Sequence, residues 1–469
     1  MAGDTSNIAF LSASELATEI ASGRLTSLSL TELLLDRIGR YDNKLNAFIA
    51  VYADEARAAA AAADRAIESG HRIGPLHGIP VAVKDIVDVA GRVTTGGSKV
   101  WANRVSAVTA TIVQRLIAAG LIVIGKTHTV EFAMGSFGTN QNFGTPWNPW
   151  DLEHHRIPGG SSAGSGVSVA AGLVPWAIGT DTGGSVRLPG SFCGIVGFKS
   201  TIGLVSRHGV LPLSTTLDTP GPMCRCVEDA VLLYNLMRGP DPEDPVTLRQ
   251  PSEDPYPTLR NGVRGLRLAR LANADRTGVD ADVLTAYDES LQVLNGLGAQ
   301  IVDLDLPRTF AEMGELTGRI IGAEGYSVVG HLVDDETLPI DKDIRPRIQL
   351  GRDMPATDYL RALAEQETVK REFEQAMADV DALITPTTTT AAPLVEQVDQ
   401  TGSAAHFTRA VNLLEGCAVS LPNGRTSAGL PTSIHVVCAG YHESMALRIA
   451  WALEQATPWH EQRPQGFDL

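Results

Sequence analysis

The sequence predicts an α/β protein in which helices cover both faces of a sheet. Two observations carry that expectation. Helical and strand patterns alternate along most of the 469 residues, which is how a sheet sandwiched between helices reads in one dimension. Hydrophobic residues make up 43% of the chain and charged residues 20%, an ordinary globular balance that leaves enough apolar side chain for a large core.

Two amphipathic helices open the chain. Ser12 and Glu15 have the spacing of a capping box ahead of Leu16 and Ile20, and a second box at Ser29 and Glu32 accompanies Leu30, Leu33, Leu34 and Ile38 at helical spacing. Residues 55–69 are an alanine-rich, solvent-facing helix that Gly70 stops. Residues 79–86 form a β-rich run that carries Lys84 into apolar company. Residues 111–119 then read as helix, 121–124 as strand and 129–133 as the start of another helix.

Residues 157–180 carry no charge, about the length of a membrane helix, but six glycines and two prolines interrupt them. A buried helix packed on the sheet is the better reading. Further on, 194–198 is a buried strand, 227–237 a helix, and the Pro-, Asp- and Glu-rich residues 239–262 an exposed excursion. Strand, helix and strand follow at 266–271, 282–297 and 300–304; then come a long helix at 357–378 and strands at 382–386 and 433–437.

Composition excludes several classes. A formal net charge of −16 and the absence of any run of Lys and Arg argue against a nucleic-acid surface; a small or neutral substrate is the easier inference. The five cysteines, Cys193, Cys224, Cys226, Cys417 and Cys438, are odd in number, and Cys224-Arg225-Cys226 lacks metal or redox spacing. Reduced thiols in a cytoplasmic protein are expected. Residues 1–10 show no basic segment followed by an apolar core, so neither a signal peptide nor a membrane anchor is expected. His154-His155 reads as a solvated loop pair rather than a metal site, and no cofactor is called for.

The chemistry concentrates in two clusters of small residues, Gly159-Gly160-Ser161-Ser162 and Thr182-Gly183-Gly184-Ser185. Such turns can aim backbone amides at an anion. Ser185 is either a nucleophile beside those amides or part of a tight strand-to-helix turn. Ser161 and Ser162 either cap the helix beginning near Ala163 or supply a hydroxyl between a base and a nucleophile. Lys84 either snorkels to water or is a desolvated general base. Gly160 to Gly164 also fits the G-x-S-x-G elbow of other hydrolases, but residues 154–158 make a poor strand before it.

The run GGSSAGSG at 159–166 followed by GTDTGGSVRLP at 179–189 resembles the signature of the amidase signature family, and PLHGIPVAVKD at 75–85 resembles its lysine motif. Gly125-Lys126-Thr127, Glu131-Phe132-Ala133, Asn148-Pro149, Gly197-Phe198-Lys199, Thr385-Pro386-Thr387 and Gly429-Leu430-Pro431 extend the likeness over nearly the whole chain. The resemblance implies one α/β/α sandwich domain over residues 1–469, with a large mixed, twisted central sheet. The signature core would span about residues 75–200 and the N-terminal helices residues 1–70.

It further implies a Ser–cis-Ser–Lys triad. Ser185 is the nucleophile, Ser161 the serine after a cis peptide and Lys84 the base. The amides of Thr182, Gly183, Gly184 and Ser185 would form the oxyanion hole, supported by Ser162, Asp181 and Arg187. Met134, Gly135, Phe137 and Thr182, with the region 413–420, are expected to line the acyl pocket.

The implied activity is hydrolysis of a small or aryl carboxylic amide through a seryl acyl-enzyme. Carbamate or urea-type hydrolysis, the glutaminase subunit of a tRNA-dependent amidotransferase, and a non-catalytic scaffold are the alternatives. In that subunit glutamine usually follows the signature arginine, where this chain has Leu188. Gly190 replaces a usual alanine, and Ser433 and His435 depart from the G-x-Q that commonly follows Gly-Leu-Pro. A homodimer through the N-terminal helices is the partnership held open.

Overall fold

In the computed structural model, which describes residues 8–467, eleven strands form one mixed sheet. They are β1 (Phe48–Val51), β2 (Pro80–Lys84), β3 (Ile122–Thr127), β4 (Trp176–Asp181), β5 (Val196–Lys199), β6 (Thr219–Cys224), β7 (Arg267–Arg270), β8 (Gln300–Asp303), β9 (Ala382–Pro386), β10 (Cys417–Arg425) and β11 (Pro431–Cys438). Their order is β1-β3-β2-β4-β6-β5-β10-β11-β9-β7-β8. β2 is parallel to β3 and β4, and β7 is parallel to β8 and β9; the remaining pairs are antiparallel.

Helices cover this sheet, giving the α/β/α sandwich. Ala163–Ala170 packs on β2, β3, β4 and β6, Arg187–Cys193 on β5, β10 and β11, and Ala281–Gly296 and Glu443–Gln455 on β10 and β11. The main apolar cluster runs from Ala9 to Phe467. A second, around Val130, Phe132, Val333 and Ile348, lies under the segment that lines the site. Residues 1–7, within the stretch where no leader is expected, lie outside the described residues. Among the described residues no helix is long and apolar enough to cross a membrane, and no group of three or more His, Cys, Asp or Glu is placed to hold a metal ion. His154 contacts Asp151, and His155 stacks on Trp147 at 4.1 Å.

Several local expectations are corrected. The first helix, Ala13–Ala21, has the Ser12–Glu15 box, but the second, Ser27–Leu45, is capped by Thr26 with Ser29, not by Ser29 with Glu32. The earlier start is held from a distance: the Asp64 carboxylate accepts from the amides of Ser27 (2.6 Å) and Leu28 (2.9 Å), two donors a helix start otherwise leaves unpaired. The alanine-rich helix, Ala53–Glu68, turns Ala56, Ala60 and Ala63 inward. Residues 129–133 do not begin a helix; Glu131–Ala133 is a single turn in which Phe132 and Ala133 have φ of 52° and 61°, a conformation that cannot propagate. The uncharged stretch 157–180 is not one helix but Ala163–Ala170 followed by β4. The excursion at 239–262 is exposed over most of its length, as expected, and is anchored where the buried Asp241 and Asp244 carboxylates accept from Ser206 Oγ (2.5 Å) and Arg207 N (2.9 Å).

Candidate active site

The site lies where β2 and the adjacent parallel β4 end, the usual position for a site in an α/β sheet. β2 ends on Lys84 and β4 on Asp181, in a register that pairs Val83 with Ile178. Lys84 Nζ donates to Ser161 Oγ at 2.7 Å and to Thr180 Oγ1 at 2.8 Å. Lys84 and Ser161 are fully buried, whereas Ser185 is 8% exposed, so of the three it is Ser185 that a ligand can reach. Among the described residues no carboxylate forms an ion pair with Lys84. Burial lowers its ammonium from 10.5 to about 7, against an opposing pull from Asp218 and Asp181.

Two turns are sewn together around this lysine. The Gly160–Ser161 peptide is cis, and the Ser161 carbonyl accepts from Val130 N and Thr129 Oγ1, both at 3.1 Å. Ser162 N donates to Ser185 O at 3.3 Å, while Ser162 Oγ donates to Thr180 O and accepts from Thr180 N, each at 3.2 Å. Ser162 thus fastens the first turn to β4 and to the second turn.

Asp181 closes the second turn. Its Oδ1 accepts from Gly184 N (2.8 Å) and its Oδ2 from Val186 N (3.1 Å). Gly184 N–H is therefore committed inside the turn, which corrects the expectation of four oxyanion donors. The amides of Thr182, Gly183 and Ser185 meet no acceptor among the described residues. Arg187 donates to both Asp181 oxygens, Nη2 to Oδ1 at 2.8 Å and Nε to Oδ2 at 3.0 Å, and both side chains are fully buried. Burial pushes the Asp181 carboxyl up, but the Arg187 charge and its hydrogen bonds, then Lys199 and Asn412, outweigh it and hold the group well below the usual carboxylate range.

Distant segments complete the frame. Asn412 accepts from Arg187 Nη2 at 2.7 Å and donates to Asp181 Oδ1 at 2.9 Å. Thr408 O accepts from Arg187 Nη1 at 3.0 Å, and His435 Nε2 lies 3.1 Å from the same nitrogen. Burial first, and then the Arg187 charge, keep His435 neutral, so its Nε2 can accept. Thr182 Oγ1 donates to Asp218 Oδ1 at 2.5 Å. Sequence reasoning missed Thr180, Asp218, Thr408, Asn412 and the arginines described below. Only Thr180 had a local signal, as part of the GTDTGGS run.

Ser185 opens into a cavity of about 430 Å³ lined by Met134, Gly135, Thr182, Gly183 and Leu188 among others. Phe137, expected on its wall, packs instead with Ile157, Phe192 and Ala392. The region 413–420 leads into the buried strand β10; the wall comes from the preceding segment, with Ala405 and Arg409. A larger cavity, about 600 Å³ between residues near Phe10 and Arg463, contains none of the residues of the two turns.

The fold recurs in known proteins. The family described as Amidase matches residues 29–447. A glutamyl-tRNA(Gln) amidotransferase subunit from Geobacter metallireducens is 37% identical, over 96% of this chain and 98% of the relative. A solved structure described as a vestigial protein complex that reveals the evolutionary origins of an s-triazine catabolic enzyme has a TM-score of 0.89 at 31% identity, covering 95% of this chain and 98% of the other. The native peptide amidase from Stenotrophomonas maltophilia has a TM-score of 0.86 at 29% identity, covering 98% and 99%. Together with the buried serine–lysine contact, these matches define an amidohydrolase acting on carbon–nitrogen bonds. The chain belongs to the amidase signature family.

Proposed function

We propose that this chain, acting alone, hydrolyses a small carboxylic amide through an acyl-enzyme on Ser185. The observation that carries this reading is the 2.7 Å contact between Lys84 Nζ and Ser161 Oγ in a fully buried setting. An ammonium brought to about 7 leaves a substantial neutral fraction at neutral pH, and a neutral amine is a competent base. Neutral Lys84 accepts the Ser161 proton, Ser161 accepts that of Ser185, and Ser185 Oγ bonds to the amide carbon. The carbonyl electron pair moves to oxygen, which the amides of Thr182, Gly183 and Ser185 receive; one such donor is typically worth about 10²- to 10³-fold in rate. Collapse breaks the C–N bond, and the amine leaves with the proton returned through Ser161. Water then repeats the sequence on the ester and frees the acid.

The 37% identity to an amidotransferase subunit supports the second reading, a glutaminase that works within a complex. Against it, two departures from the pattern of such subunits sit at the site: Leu188 lines the cavity and His435 faces Arg187. The test is hydrolysis by the purified single chain of an aliphatic amide, an anilide, an aryl carbamate, an ester and glutamine. Release of amine or ammonia from an amide other than glutamine is expected. A preference for the carbamate would place the chain among carbamate hydrolases. Turnover of glutamine alone, or none until partner subunits and tRNA are added, would move it to the amidotransferases.

A further inference from the structure

We propose that the cavity beside Ser185 selects an amide whose far end carries a carboxylate and no ammonium group, and that Arg409 reads that carboxylate. The inference rests on the hydrolytic reading of Ser185. Arg409 lies in the helix Thr408–Leu413, which is tied to the Ser185 turn by Thr408 Oγ1 donating to Gly183 O at 2.7 Å. Its side chain runs along that turn: a Cβ built on Gly183 would lie 3.3 Å from Arg409 Cγ and 4.0 Å from its Nε.

Among the described residues the Arg409 guanidinium makes no hydrogen bond or ion pair, although it lines a cavity whose wall includes Met134, Leu188, Leu213 and Ile321. A guanidinium has five donors and always carries its charge, so leaving it unpaired in a partly desolvated wall is costly. Arg347 faces the same cavity, where its Nη2 donates to the carbonyls of Gly402 (3.1 Å) and Gln400. The lining holds these two arginines and no Asp or Glu. Burial, and then the Arg347 charge, lower the Arg409 pKa, the direction expected of a site short of negative charge.

A carboxylate would supply both the acceptors and the charge, and arginine binds it with two parallel hydrogen bonds. A substrate ammonium would meet two cations and no carboxylate. Gly183 and Ser185 share one turn, so the anion sits a few bonds from the scissile carbonyl. The class this fits is the monoamide of a short dicarboxylic acid.

Three five-carbon amides that differ only in charge provide the test: pentanamide, with no charged group; glutaramate, with one carboxylate; and glutamine, with a carboxylate and an ammonium. For the wild-type chain, kcat/KM for glutaramate should exceed each of the others at least tenfold. Arg409→Gln should lower the glutaramate-to-pentanamide ratio at least tenfold, chiefly through KM, and Arg409→Lys should restore part of it. Calorimetric binding of glutaramate and pentanamide to Ser185→Ala reads the same preference without turnover. Absence of hydrolysis together with Arg409-dependent glutaramate binding would overturn the hydrolytic reading and keep the anion site. Equal kcat/KM for glutaramate and pentanamide, or an unchanged ratio in Arg409→Gln, would overturn the anion site, and a lead for glutamine would overturn the exclusion of an ammonium; each leaves hydrolysis standing. The wild-type ranking decides the matter even where a variant fails to fold.

Discussion

Replacing Lys84 with Met should abolish turnover and yet stabilise the fold in acid. The amine titrates at about 7 in the folded protein against an ordinary 10.5. Because the folded value is the lower one, the folded state binds fewer protons between those limits. The buried lysine therefore destabilises most below pH 7, and the penalty fades as pH rises toward 10.5. At about 1.4 kcal/mol per pH unit, the gap corresponds to about 5 kcal/mol at pH 6 and about 2 kcal/mol at pH 9. The variant also loses the hydrogen bonds to Ser161 and Thr180, about 1 kcal/mol each. Lys84→Met is thus expected to be more stable than wild type by about 3 kcal/mol at pH 6 and nearly equal to it at pH 9. Urea unfolding of both proteins at the two pH values measures this. A stability difference that does not change with pH would show that Lys84 titrates normally, and the amine could not then be the base.

The remaining predictions concern the same frame. The acid limb of kcat/KM should fall tenfold per pH unit below about 7, where Lys84 takes up its proton; a limb near pH 4 to 5 would assign the base to a carboxylate. Asp181→Asn leaves the buried Arg187 without its counter-charge and should cost about 3–5 kcal/mol in urea unfolding. A cost below about 1 kcal/mol would mean that Asn412, Thr408 and His435 hold the guanidinium by themselves.

What the sequence disclosed about this site is what lies close along the chain. Lys84 ends a short apolar strand, Ser161 and Ser185 end glycine-rich turns, and Asp181 and Arg187 are close enough to close one turn between them. Strand β4 was hidden because every residue in it is buried, which removes the alternation that betrays a half-exposed strand. Its sequence therefore merged with the helix before it, and Thr180, which touches Lys84, went unread. The long helix Phe310–Val333 and strand β10 were missed altogether. The helix carries five glycines, and the strand contains Pro422 and Gly424, residues that break the ordinary pattern. Asn412, Thr408, Arg409 and Arg347 reach the site only because the sheet order returns β10 beside β5 and brings the later helices over the Ser185 turn. Phe137 failed for the opposite reason: it is near Met134 in sequence, but the chain turns at Gly138 (φ 86°) and the ring packs away from the cavity.

The most direct test of the acyl-enzyme is to catch it. The purified chain would be mixed with an activated anilide or aryl ester, quenched in acid during the first turnover, and examined by intact mass and peptide mapping. The expected result is a mass increase of one acyl group on the peptide carrying Ser185, a matching burst of amine or phenol, and neither in Ser185→Ala. An acyl group on another residue, or undiminished amide turnover by Ser185→Ala, would contradict the mechanism at its root.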